Sequence, residues 1–128
     1  MTDAGRKVLI VDDDDSIRLM VERVLRRENY EVESARDGFE AIQKLAGNEY
    51  SVILLDLMMP RIDGFGVLDY LEQNRPELGS AVIVMSANLP AASDAARERN
   101  IGRVLAKPFD LTALIDEVRG PHIANEQG

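Results

Sequence analysis

Five short strand-like runs, each followed by a longer helix-patterned stretch, constrain this chain more than any other feature. The runs are Lys7–Val11, Glu31–Ala35, Ser51–Leu55, Ala81–Met85 and Arg103–Ala106. Strands separated by helices of roughly 15–25 residues imply right-handed βαβ units and a parallel sheet, because antiparallel hairpins need only short turns. The first, third and fourth runs are continuously apolar, as strands covered on both faces are. The second, Tyr30-Glu31-Val32-Glu33-Ser34, alternates, and the fifth is short with charged ends. Both therefore read as edges, which gives the order 2-1-3-4-5 and a three-layer αβα, flavodoxin-like architecture.

The intervening stretches carry helix signatures. Ile17, Met20, Val21, Val24 and Leu25 form one apolar stripe, and Leu111, Leu114, Ile115 and Val118 form another. Asp37 followed by Glu40 resembles a capping box that opens a helix carrying Ala41, Ile42 and Leu45. A further helix spans Gly64 to Glu72, with Val67, Leu68 and Leu71 on one side. Pro90 suits the first turn of the next. The only apolar face of that helix consists of Ala91, Ala92, Ala95 and Ala96, so it buries little area and is expected to be weakly anchored. Gly120-Pro121 ends the last helix. Residues 1–120 are thus expected to form one domain, and residues 121–128 a short polar tail in which His122 has no catalytic or ligand role.

Composition narrows the class. A chain of 128 residues with 45% hydrophobic and 5% aromatic side chains supports one aliphatic core. Without cysteine, disulfides and thiolate metal sites are excluded. The polar segment before Val8 leads into only four apolar residues, too few for a signal peptide, and no run approaches membrane-spanning length. A cytoplasmic protein is the expectation. The net charge of −8 opposes a nucleic-acid-gripping surface.

The chemistry lies where the runs end. Asp12 and Asp13 follow the first run, and Asp56 follows the third. In the order 2-1-3-4-5 these strands are neighbours at the switch point, where ligands bind outside the carboxyl ends. Converging carboxylates repel unless a cation intervenes. Oxygen ligands without His or Cys favour Mg²⁺, which keeps several waters and bridges to phosphate. Asp14 and Asp15 read instead as helix N-cap and first turn. Ser86 and Lys107 follow the fourth and fifth runs on the same edge, a hydroxyl and a point charge suited to a phosphoryl group. A carboxylate nucleophile, a cation site, a hydroxyl and a lysine together make an aspartyl phosphate chemically accessible.

Over roughly residues 6–119 the chain resembles the receiver domains of two-component response regulators, the CheY-like family. The resemblance rests on Asp12-Asp13, on Asp56 to Pro60 with Asp63-Gly64, on Ser86-Ala87, and on Lys107-Pro108-Phe109, in that order and at strand ends. It implies that Asp56 is the phosphoacceptor from a histidine kinase or phosphotransfer protein. Asp13, Asp56 and the Met58 backbone carbonyl would bind Mg²⁺ directly, and Asp12 mostly through water. Ser86 and Lys107 would contact the phosphoryl group, and the Lys107–Pro108 peptide is often cis. Met58 and Asn88, two positions beyond Asp56 and Ser86, would tune phosphate lifetime. A signalling switch rather than an enzyme is implied, with a downstream partner or second copy meeting the face of helix 4, strand 5 and helix 5.

The family often has an aromatic residue three positions before the lysine, where this chain has Val104. Switching then relies on Val104 filling the space left by Ser86, or on helix movement. A haloacid-dehalogenase-type phosphatase would need a second aspartate where Met58 stands. A flavin carrier would need a phosphate loop in place of Asp12–Asp15, whose charge repels phosphate. A pseudo-receiver, a phosphorylation-independent interaction module, is the remaining alternative. The residues are equally compatible with a stand-alone regulator and with a receiver cut from a longer chain.

Overall fold

The computed structural model describes residues 6–120, so His122 and the remainder of the tail lie outside the described residues. Parallel strands β1 (Lys7–Val11), β2 (Glu31–Ala35), β3 (Val52–Asp56), β4 (Val82–Ser86) and β5 (Val104–Ala106) pair in the order β2-β1-β3-β4-β5. Between and after them run α1 (Asp15–Arg27), α2 (Gly38–Gly47), α3 (Gly64–Asn74), α4 (Leu89–Glu98) and α5 (Leu111–Arg119). A 3₁₀ turn at Pro76–Ala81 joins α3 to β4, a feature the sequence pattern did not signal.

Period-2 alternation within the strands builds two cores. Leu9, Val11, Ile53, Leu55, Val82 and Val84 face α2, α3 and α4. Val8, Ile10, Val52, Leu54, Ile83 and Met85 face α1 and α5. Burial on both faces explains why β1, β3 and β4 read as unbroken apolar runs.

Each of the five α-helices begins with an aspartate or asparagine whose side-chain oxygen accepts the amide three residues on. These caps are Asp14 to Ile17, Asp37 to Glu40, Asp63 to Gly66, Asn88 to Ala91 and Asp110 to Ala113. The expected box at Asp37 is displaced by one residue. Glu40 Oε1 accepts from the backbone N–H of Arg36 at 2.8 Å, because its carboxylate also pairs with the Arg36 guanidinium.

Leu111 departs from the expected α5 stripe. It is exposed, while Leu114 and Val118 carry the buried face. The alanine face of α4 is as expected, with Ala92, Ala95 and Ala96 buried.

Candidate functional site

The carboxyl ends of β1, β3, β4 and β5 converge on an open cleft of about 370 Å³. It is lined by Asp12, Asp13, Asp14, Asp56, Met58, Ala87, Asn88 and Lys107. Strands β3 and β4 are shifted one residue from the sequence expectation. Asp56 and Ser86 are the last paired residues of their strands, opposite Met85 and Ala106, rather than the first residues beyond them. Ladder pairing holds both side chains at fixed height and buries them.

Asp12 is fully buried and Asp56 is 4% exposed, while Asp13 is open to solvent. One carboxylate oxygen from each of the three lies within 4.8 Å of the others. Lys107 Nζ sits between the buried pair, 2.8 Å from Asp12 Oδ2 and 3.4 Å from Asp56 Oδ2. The Asp12 contact is at charge-assisted hydrogen-bond distance and the Asp56 contact is longer, so one ammonium serves two carboxylates. Asp12 Oδ1 accepts the Asp14 amide at 2.9 Å, and Asp56 Oδ1 accepts the Met58 amide at 3.2 Å. The Met58 side chain itself projects into solvent.

Burial, and then the neighbouring Asp12 charge, push the Asp56 carboxyl up to about 6, against the pull of Lys107 and the Met58 amide. Burial acts to lower Lys107, but its contacts with Asp12 and Asp56 outweigh that and hold it above the ordinary lysine value. The site is thus an acidic cluster with one cation too few. An all-oxygen cluster of three carboxylates that a single lysine cannot neutralise fits a hard divalent cation.

Ser86 is buried, and its Oγ accepts the Asn88 amide at 2.9 Å. Its carbonyl accepts the Lys107 amide at 2.9 Å, which ties the two strand ends together. The Lys107–Pro108 peptide is cis. Asn88 is exposed at the cleft rim as the cap of α4. Val104 lies away from the cleft, half-buried against the core that includes the α4 alanines.

Asp14 and Asp15 fall to helix α1 as cap and first turn. Gly64 accounts for the tight exit from the site. A Cβ there would lie 2.5 Å from the Asp56 carbonyl oxygen and 2.6 Å from Leu57 Cα, contacts with backbone that cannot yield.

One residue of the site escaped the sequence reading. Arg18 is only 9% exposed. It donates from Nη1 to the Asp12 carbonyl at 2.9 Å and from Nη2 to Asp15 at 2.5 Å, bracing the acidic turn. A signal existed, since Arg18 stands three and seven residues before Val21 and Leu25 and so shares their buried face.

A doubly covered parallel sheet with carboxylates at its switch point defines a class of acidic-site α/β domains. The chain matches the response regulator receiver domain model over residues 8–119, and it belongs to that family, the receiver domains of two-component signalling. Protein PilG of Pseudomonas aeruginosa is 32% identical over 117 residues, which is 90% of this chain and 86% of PilG. The response regulator ArlR of Staphylococcus saprophyticus is 32% identical, but the chain spans only 50% of its length.

Among solved structures, chemotaxis protein CheY4 of Vibrio cholerae superposes with a TM-score of 0.81 at 31% identity, covering 91% of this chain and 98% of that one. TrrA of Thermotoga maritima, solved in complex with Mg²⁺ and BeF, gives a TM-score of 0.78 at 27% identity, with 89% and 96% covered. Among the described residues no helix is long and apolar enough to cross a membrane.

Proposed function

We propose that this receiver is a phosphorylation-activated switch. Asp56 accepts a phosphoryl group from a phosphohistidine of a histidine kinase or phosphotransfer protein, with Mg²⁺ as cofactor. The observation that carries this reading is the pair of buried carboxylates, Asp12 and Asp56, held around Lys107 at adjacent strand ends. The Mg²⁺-bound TrrA relative supports the choice of ion.

Asp12, Asp13, Asp56 and the Met58 backbone carbonyl would hold the ion, which when bound neutralises charge on the phosphoryl oxygens. A carboxylate oxygen of Asp56 forms the new P–O bond as the P–N bond to imidazole breaks, and the imidazole leaves with that electron pair. Lys107 meets the negative charge arriving at the cleft. Ser86 accepts a hydrogen bond from Asn88 and keeps its own hydroxyl proton to donate to a phosphoryl oxygen. Met58 and Asn88 line the cleft and set water access, hence the lifetime of the aspartyl phosphate. The protein turns over no external substrate beyond its own phosphoryl transfer and autodephosphorylation.

The output face is α4, β5 and α5, which meets a downstream protein or a second copy. Alanines are the buried residues of α4, and Val104 packs against the same core, so a small shift at Ser86 can reposition this helix. An apolar groove of about 360 Å³, lined by Ile17, Met20, Ala87, Lys107, Pro108 and Phe109, borders the cleft and favours a protein phosphodonor. The chain's net charge of −8 opposes a nucleic-acid grip by this domain. Residues 1–120 form the receiver and 121–128 a tail, in a cytoplasmic setting.

Incubation with a small acyl phosphate and Mg²⁺, read by intact mass, tests the reading. The expected result is a gain of one phosphoryl group, lost in Asp56→Asn and on chelation. Unchanged labelling in Asp56→Asn sinks the assignment. Absence of labelling in the wild type moves the protein to the pseudo-receiver class, and steady hydrolysis of phosphate esters moves it to the phosphatases.

A further inference from the structure

The loop between β3 and α3 carries Met58 and is held from outside the cleft. Arg61 has φ of 62°, the left-handed region that residues other than glycine seldom occupy. Such a conformation persists only where its surroundings over-determine it. The surroundings are the start of α2. Arg61 Nη2 donates to Asp37 Oδ2 at 2.6 Å, while Asp37 Oδ1 caps α2 through the Glu40 amide at 2.8 Å. One residue further along each segment, the Gly38 amide donates to the Ile62 carbonyl at 3.1 Å. A Cβ on Gly38 would sit 2.2 Å from that same oxygen, so loop and helix meet backbone to backbone.

On its other side the loop is tied to the sheet. The Leu57 amide donates to the Met85 carbonyl at 3.2 Å, and the Gly64 amide donates to the Leu57 carbonyl at 3.0 Å. The exposed Met58 side chain contributes no anchor of its own. The direction of the Met58 carbonyl is therefore set by the sheet at one end of the loop and by α2 at the other.

We propose that Asp37, Gly38 and Arg61 form a clasp that orients the Met58 carbonyl toward the cation site. Asp37 and Arg61 are thereby positioning residues for a cleft that neither of them lines. The inference rests on the reading of Asp12, Asp13 and Asp56 as a Mg²⁺ site. Groups that orient metal ligands from behind change affinity without touching the ion.

The test is the Mg²⁺ dissociation constant of the full chain, measured by calorimetry in Asp37→Asn, Arg61→Gln, their double variant, Gly38→Ala and Asp13→Ala. Asparagine keeps the helix cap through its oxygen but puts an amide NH2 where Asp37 Oδ2 accepts from Arg61, so it removes the ion pair and its hydrogen bond. The clasp predicts that Asp37→Asn and Arg61→Gln each weaken Mg²⁺ binding by about 10-fold, the lower end of what groups behind metal ligands contribute. The double variant is expected to be no weaker than either single, since the two act as one unit.

Plain long-range electrostatics predicts opposite signs instead, because one substitution removes a negative charge and the other a positive one. Opposite signs, or simple additivity, overturn the clasp. In the metal-free protein, amide exchange across residues 58–62 is expected to accelerate in both single variants. Wild-type affinity and exchange in both singles, with Mg²⁺ binding abolished in Asp13→Ala, overturn the clasp alone. Normal Mg²⁺ binding in Asp13→Ala overturns the metal reading beneath it. Gly38→Ala, which forces the backbones apart, is expected to weaken binding at least as much. If it fails to fold, the charge variants still decide.

Discussion

The two ends of the parallel sheet handle charge in opposite ways. At the end where β1 and β3 begin, the polar groups are matched. Tyr50 donates to Glu33 at 2.7 Å, Lys7 pairs with Glu33 at 3.2 Å and lies over the Tyr50 ring, and Arg75 donates to the carbonyls of Leu45 and Asn48. At the end where the strands finish, two buried carboxylates share a single lysine, with the exposed Asp13 carboxylate beside them. The first arrangement stabilises the fold. The second leaves it short of a cation, which is the condition for binding one. The difference teaches that the fold neutralises the charges it gathers at one end and leaves carboxylate charge in excess at the cleft.

The largest expected effect compares two glycines at opposite ends. Gly64→Ala drives a methyl into the backbone of Asp56 and Leu57, and is expected to destabilise by about 2–3 kcal/mol. Gly79 has open space around it, so Gly79→Ala should change stability by less than about 0.5 kcal/mol. Urea midpoints compare the two directly, and equal effects would remove the steric contrast.

Next in size is the carboxylate itself. The folded protein binds the Asp56 proton more tightly than the unfolded chain does, since its pKa rises from 3.8 to about 6. Wild-type stability attributable to this group therefore falls as pH rises from about 4 through about 6, and is fully lost above that. In chelator at pH 7, Asp56→Asn is expected to be more stable than wild type by about 1–2 kcal/mol. That is less than the full shift converts to, because the cleft is open to water. The gain should vanish near pH 4 and shrink when Mg²⁺ is added. A less stable Asp56→Asn protein at pH 7 in chelator would contradict the mismatch.

The smallest effect is expected at the matched end, with the opposite pH slope. The Tyr50 hydroxyl, more than Lys7, holds Glu33 below its ordinary value of 4.5. That stability is present above pH 4.5 and lost as pH falls through the folded value. Tyr50→Phe is expected to lose about 1 kcal/mol at neutral pH. It should also make acid unfolding less steep, while leaving Mg²⁺ affinity unchanged. A Tyr50→Phe protein with altered Mg²⁺ affinity would show that the two ends are coupled.

The strand order and the convergence of Asp12, Asp13, Asp56 and Lys107 were legible because strand and helix periods are local and the switch-point rule converts order into proximity. The helix caps at Asp14 and Asp37 were legible for the same reason. The one-residue shifts of β3 and β4 were not, because a strand's last pair depends on its neighbour's register rather than on its own composition. Leu111 was misplaced because the apolar stripe does not record where α5, which begins at Leu111, first meets the sheet.

By itself, then, the sequence determined a doubly covered parallel sheet with its carboxylates at the switch point, through periodicity and the residue types at strand ends. Only the tertiary structure decided how those carboxylates are balanced. It placed Lys107 between Asp12 and Asp56, buried Arg18 behind Asp12, and joined Arg61 to Asp37 across 24 residues. The Lys107 and Arg61 pairings are long-range and charged. A charged residue carries no periodic signature of its partner, so its role emerges only once the packed strands and helices fix which charges are near, which are buried, and which remain unpaired.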